Sequence, residues 1–106
     1  MTTFDKREEA FEQQFAHDEE LKFKATARRN KLLGLWAAEK LGLKGVEADS
    51  YALAVVMAEL EDGEHDVARK IRKDFDAKGV AQSDHQIART MNEFMAQAVA
   101  AIQQGK

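Results

Sequence analysis

Arg28-Arg29-Asn30-Lys31 sets three cations within about one helical turn. That density suits phosphate, which arginine grips through charge-assisted, often bidentate hydrogen bonds and lysine through a mobile point charge. Trp36 or Tyr51 would supply a stacking face. One reading of the run is therefore a nucleotide or anion site on Arg28, Arg29, Lys31 and Trp36, with weak Mg-ATP or Mg-ADP as its ligand and no required cofactor. The other reading is a solvated basic face paired with an acidic helix. On a helical wheel Arg28 falls near the middle of an apolar stripe, which predicts that it is partly buried and paired.

The remaining chemical groups form no constellation. His17 precedes Asp18-Glu19-Glu20, His65 lies between Glu64 and Asp66, and His85 follows Asp84. None has the i, i+4 partner or the His/Cys spacing of a zinc site, so the expectation is exposed histidines and no metal. Acids such as Glu59-Leu60-Glu61-Asp62 sit in solvated runs rather than in a cleft that would shift their pKa values. Gly42-Leu43-Lys44-Gly45 is too short for a phosphate loop and lacks its Lys-Ser/Thr ending. The chain reads as a binding protein and not an enzyme.

The elements that carry these residues are helical. The chain has 106 residues, 44% hydrophobic and 33% charged, with no proline and no cysteine. That length supports one domain with one core. Ala, Glu, Lys, Gln and Leu, the strong helix formers, are abundant, and no alternating β-branched run appears. Without cysteine there is no disulfide framework and no thiolate chemistry. No apolar stretch approaches the ~20 residues of a membrane span, and no secretory leader opens the sequence. A cytoplasmic protein, monomeric when free and without membrane insertion, is expected.

The net charge of −3 conceals blocks of opposite sign: −5 over residues 1–20, +6 over 21–44, −7 over 45–66, +3 over 67–79 and zero over 80–106. A mildly acidic whole argues against nucleic acid as a partner. Gly42 and Gly45, Gly63, and Gly79 punctuate the chain and predict helices over about 21–41, 46–61, 64–78 and 83–104. The last should open on a Ser83-Asp84-His85-Gln86 capping box and bury Ile87, Met91, Phe94, Met95, Ala98 and Ile102. The third presents Val67, Ile71 and Phe75. The second presents Ala48, Tyr51, Ala52, Val55, Val56 and Leu60. Gly34, unfavourable in mid-helix by about 1 kcal/mol against Ala, points to a close helix approach or a kink.

The first stretch holds two apolar stripes. Phe4, Phe11 and Phe15 share a narrow arc, while Leu21, Ala25, Leu32, Leu35 and Trp36 form a second, about 90° away on a wheel of ~100° per residue. A break is predicted near His17–Glu20. Residues 21–106 then make a four-helix bundle, and residues 1–20 a mobile acidic arm with a phenylalanine stripe and no core of its own. Such an arm suits folding into a groove on a partner, or folding back on its own bundle.

Phe4-Asp5-Lys6-Arg7-Glu8-Glu9-Ala10-Phe11-Glu12, then Phe15 to Leu21, then Lys24 to Glu39 with its Arg28-Arg29-Asn30-Lys31-Leu32-Leu33-Gly34-Leu35-Trp36 core, together resemble the zeta-subunit family. These are inhibitors of the α-proteobacterial F-type ATP synthase. The resemblance is dense over residues 4–45, continues at Tyr51, and is one of helical pattern and length from about Ala52 onward. It implies a four-helix bundle whose mobile arm becomes helical and wedges into a catalytic interface of the F1-ATPase α, β and γ subunits, blocking hydrolytic rotation. Carried over, the partner-binding residues are Phe4, Lys6, Arg7, Glu8, Phe11, Glu12 and Phe15. The resemblance also implies weak nucleotide binding to the bundle, at a site no motif maps, and a place peripheral to the inner membrane through the synthase.

Overall fold

Asp18 starts the folded part. Its backbone is extended (φ −99°, ψ 104°), and its carboxylate accepts the amides of Glu20 at 3.0 Å and Leu21 at 3.1 Å. Two amides that an opening helix leaves unpaired are thereby satisfied, and Glu19 and Glu20 sit well at the positive end of the helix dipole. The computed structural model describes residues 18–62 and 64–105; residues 1–17, with most of the expected arm, lie outside them. Four helices follow: α1 (Glu19–Lys40), α2 (Val46–Asp62), α3 (Glu64–Lys78) and α4 (Asp84–Gln103). The protein is all-α, and none of the described helices is long and apolar enough to cross a membrane.

The helix ends follow from local chemistry. After Lys40 the amide of Leu43 donates to the carbonyl of Ala38, and that of Gly42 to Glu39. This double bond pattern needs a left-handed residue, and Gly42 supplies it at φ 81°. The capping box forms at α4: Ser83 N donates to Gln86 Oε1 at 2.8 Å, and Gln86 N to Ser83 Oγ at 3.1 Å.

Helix α1 packs between α2 and α4, and α3 closes the bundle opposite α1. Gly34 meets Ala52 and Arg29 meets Glu59, so α1 and α2 run antiparallel. A Cβ on Gly34 would stand 2.6 Å from the Ala52 Cα, so the glycine is there for the close approach its position suggested. Val67, Ile71 and Phe75 of α3 are fully buried, as their spacing predicts, against Leu33, Ala37, Val55, Ile87 and Met91. Trp36 reaches across from α1 to meet the Phe75 ring edge-on at 5.7 Å.

Of the stripe expected on helix α1, Ala25 is buried and Trp36 packs against the core, but the inward face is otherwise a different one. Its buried residues are Ala25, Arg29, Asn30, Leu33, Gly34, Ala37 and Ala38, while Leu32 and Leu35 are only half-buried. The expected stripe followed the largest apolar side chains. The real one follows small residues, because these let α2 and α4 approach closely enough to exclude water. Leu60 of α2, expected inward, is 55% exposed, and Leu53 is 61% exposed. Of the α4 stripe, Ile87, Met91 and Ala98 are buried and Phe94, Met95 and Ile102 half-buried.

A groove with one basic wall

Helical geometry divides the Arg28–Lys31 run. Residues 28 and 31 lie three apart and share a face, whereas residue 29 points about 100° away. Arg29 is 3% exposed. Its Nη2 pairs with Glu59 Oε1 at 3.0 Å, and its Nε and Nη2 donate to Asn30 Oδ1 at 3.1 and 3.0 Å. Arg29, not Arg28, is thus the buried arginine of the run, and it ties α1 to the acidic α2. A pair so poorly hydrated contributes little net stability, but either partner left alone is costly.

Arg28 and Lys31 face outward. They line a groove of about 1120 Å³ that runs along α1 beside α2 and reaches Ile102 near the end of α4. Its apolar lining includes Leu32, Leu35, Leu53 and Val56. Three cations, Lys24, Arg28 and Lys31, stand on the α1 side, and one acid, Asp49, on the α2 side. Lys24 also pairs with Glu20 at 3.2 Å, both side chains largely exposed, an arrangement that contributes little. The chemistry offered is an apolar bed with a positive edge, fit for a phosphate-bearing ligand or for an acidic amphipathic segment.

The two aromatic candidates are placed elsewhere. Trp36 belongs to the rim of the core, against Phe75. Tyr51 donates its hydroxyl to Asp74 Oδ2 at 2.7 Å, and Lys70, itself 3.1 Å from that oxygen, stands 5.0 Å from the ring centre. Burial, first, and then the bond to the Asp74 carboxylate push the phenol far above its usual range. Tyr51 is a pin between α2 and α3. At the turn into α4, Arg72 chelates Asp76 at 2.8 Å and reaches Asp84 at 3.4 Å, so its guanidinium is held still more firmly charged. His85 is exposed, and among the described residues no cluster of His, Asp and Glu could hold a metal. The arm residues Phe4, Lys6, Arg7, Glu8, Phe11, Glu12 and Phe15 lie outside the described residues.

The spacing of the cations alone does not reveal the apolar half of the groove. The signal was present in Leu32-Leu33 and Leu35-Trp36: two pairs of large neighbours, each about 100° apart, spread the apolar surface of α1 wider than one stripe. Leu33 and Trp36 took the core side, leaving Leu32 and Leu35 to the groove.

No curated protein matches the chain. A solved protein, known from a solution NMR structure, is 42% identical with a TM-score of 0.70, over 81% of this chain and 99% of that one. The family model described as ATPase inhibitor subunit zeta matches residues 1–101, which include the expected arm and every residue lining the groove except Ile102. The chain therefore belongs to the ATPase inhibitor subunit zeta family.

Proposed function

We propose that this protein inhibits ATP hydrolysis by the F1 part of an F-type ATP synthase, and that residues 1–20 are the working element. The arm inserts as an amphipathic helix into a catalytic interface, with Phe4, Phe11 and Phe15 as its buried stripe. Lys6, Arg7, Glu8 and Glu12 beside them set the specificity. The observation that carries this reading is that the family match begins at residue 1 and so takes in the arm.

Physical chemistry supports the division of labour. Each phenylalanine removed from water contributes roughly 1.5–3 kcal/mol, while each arm residue that becomes ordered costs about 1–2 kcal/mol of backbone entropy. Three phenylalanines therefore hold the arm only where the receptor also satisfies its backbone and charges, which restricts it to one kind of interface. The bundle raises the local concentration of the arm and serves as a steric stop. The role is regulatory and non-catalytic, exerted on the cytoplasmic side of the membrane that carries the synthase. Titrating F1 hydrolysis with the full chain and with the triple variant Phe4→Ala, Phe11→Ala, Phe15→Ala tests the reading. The full chain should inhibit and the variant should not; equal inhibition by both would exclude the stripe.

A second reading, a weak nucleotide or anion site, rests on the convergence of Lys24, Arg28 and Lys31 on one groove. Amide shifts at Ala27 and Leu53 on titration with Mg-ATP would support it, and no change at millimolar nucleotide would remove it.

A further inference from the structure

We propose that the groove beside α1 is the docking site for this chain's own residues 4–15, laid antiparallel to α1 when no partner holds them. That this withholds an inhibitory element rests on the function proposed above; the docking itself does not.

Length, position and charge converge on this occupant. Phe4, Phe11 and Phe15 stand at i, i+7 and i+11, so as a helix their stripe runs about 16 Å. The groove follows α1 from Lys24 to Leu35, the same eleven-residue interval and again about 16 Å. The chain enters α1 through Asp18 with an extended backbone, off the helical path, which permits a reversal there. From Asp18 to Lys24 along α1 is about 9 Å, and the three residues from Phe15 to Asp18 can span up to about 10 Å. Phe15 can therefore reach the near end of the groove and Phe4 the far end.

The charges agree with the same orientation. On a helical wheel Asp5, Glu8 and Glu12 fall on one flank of the phenylalanine stripe and Arg7 on the other. In an antiparallel helix seated between α1 and α2, the acidic flank faces α1, where Lys24, Arg28 and Lys31 stand, and Arg7 faces α2, where Asp49 stands. Leu53, 61% exposed in the described structure, gains a cover. Much of the attraction is between solvated charges, so salt weakens it.

The chain has no cysteine, so a nitroxide can be attached to the full-length protein at Thr3→Cys alone. Docking predicts paramagnetic broadening of the Leu35 and Leu53 amides, at the far end of the groove, exceeding that of Leu21 and Lys22 beside the tether. The double variant Arg28→Glu, Lys31→Glu should abolish it, as should Leu53→Ser, which changes no charge; retained amide dispersion and a cooperative melt confirm that both remain folded. Broadening that simply falls away with distance from Asp18 would overturn the proposal. So would broadening seen only when spin-labelled and isotope-labelled molecules are mixed, which would assign the groove to a second copy. In the F1 assay the charge-reversed protein should inhibit at a concentration lower on the order of fivefold, the factor by which a mostly docked arm is withheld. Groove broadening in a protein that does not inhibit F1 would leave the docking standing and remove the proposed function.

Discussion

Helices α3 and α1 use their apolar residues in opposite ways. In α3 there is one stripe, Val67, Ile71 and Phe75, and the fold consumes all of it. In α1 there are two: Leu33 and Ala37 enter the core, while Leu32 and Leu35 line a groove edged with cations. A helix with a single stripe is explained by the bundle. A helix with a second stripe has apolar surface to offer something else, and in this chain it is the helix joined directly to the arm.

The largest test of that contrast is a pair of truncations. Phe75→Ala should cost about 3–5 kcal/mol in urea or thermal unfolding, because it opens a cavity no neighbour can fill. Leu53→Ala, a change at an exposed position, should stay within about 0.5 kcal/mol. Equal losses would mean that the groove is core after all. The two adjacent arginines give a second pair. Arg29→Ala leaves Glu59 poorly solvated and without its 3.0 Å partner, and should cost about 3 kcal/mol. Arg28→Ala should fall within about 0.5 kcal/mol while weakening any anion bound in the groove.

Gly34→Ala sharpens the reason α1 turns the face it does. Helix propensity alone would favour alanine by about 1 kcal/mol, but the new Cβ would meet backbone 2.6 Å away. Unfolding should show a net loss of about 1–2 kcal/mol, and a gain would show that α1 and α2 can separate freely. The smallest effect belongs to Tyr51. Its phenol is harder to ionise in the folded state than in the unfolded chain. The stabilisation this gives is complete below the unfolded value near 10 and is lost as pH rises above it. Between pH 9 and 11 the protein should therefore lose stability faster than Tyr51→Phe, which has no such proton; parallel loss would remove Tyr51 from the account.

Much of the frame was legible because caps and breakers act locally. Ser83 with Gln86, Gly42 and Gly79 could be read as they stand, and the widely spaced large residues of α3 fall on only one face. The inward face of α1 was not legible from the same rule. Gly34, Ala37 and Ala38 decide it by being small, and a wheel weighted toward large apolar residues drifts to Leu32 and Leu35. The same drift put Arg28 near the inward stripe, whereas the packing buries Arg29. Leu60 of α2 misled in the same way: hydrophobic character marks a residue that gains from burial, while only the geometry of neighbouring helices decides whether cover exists.

Whether residues before Asp18 inhibit and the bundle only supports them is decided by ATP hydrolysis of F1 titrated with the full chain and with a chain beginning at Asp18. Cutting there keeps the carboxylate that caps α1, so the shortened protein should still fold. Inhibition by the full chain alone is the expected result. Equal inhibition by the shortened chain would contradict the account and move the activity onto the bundle.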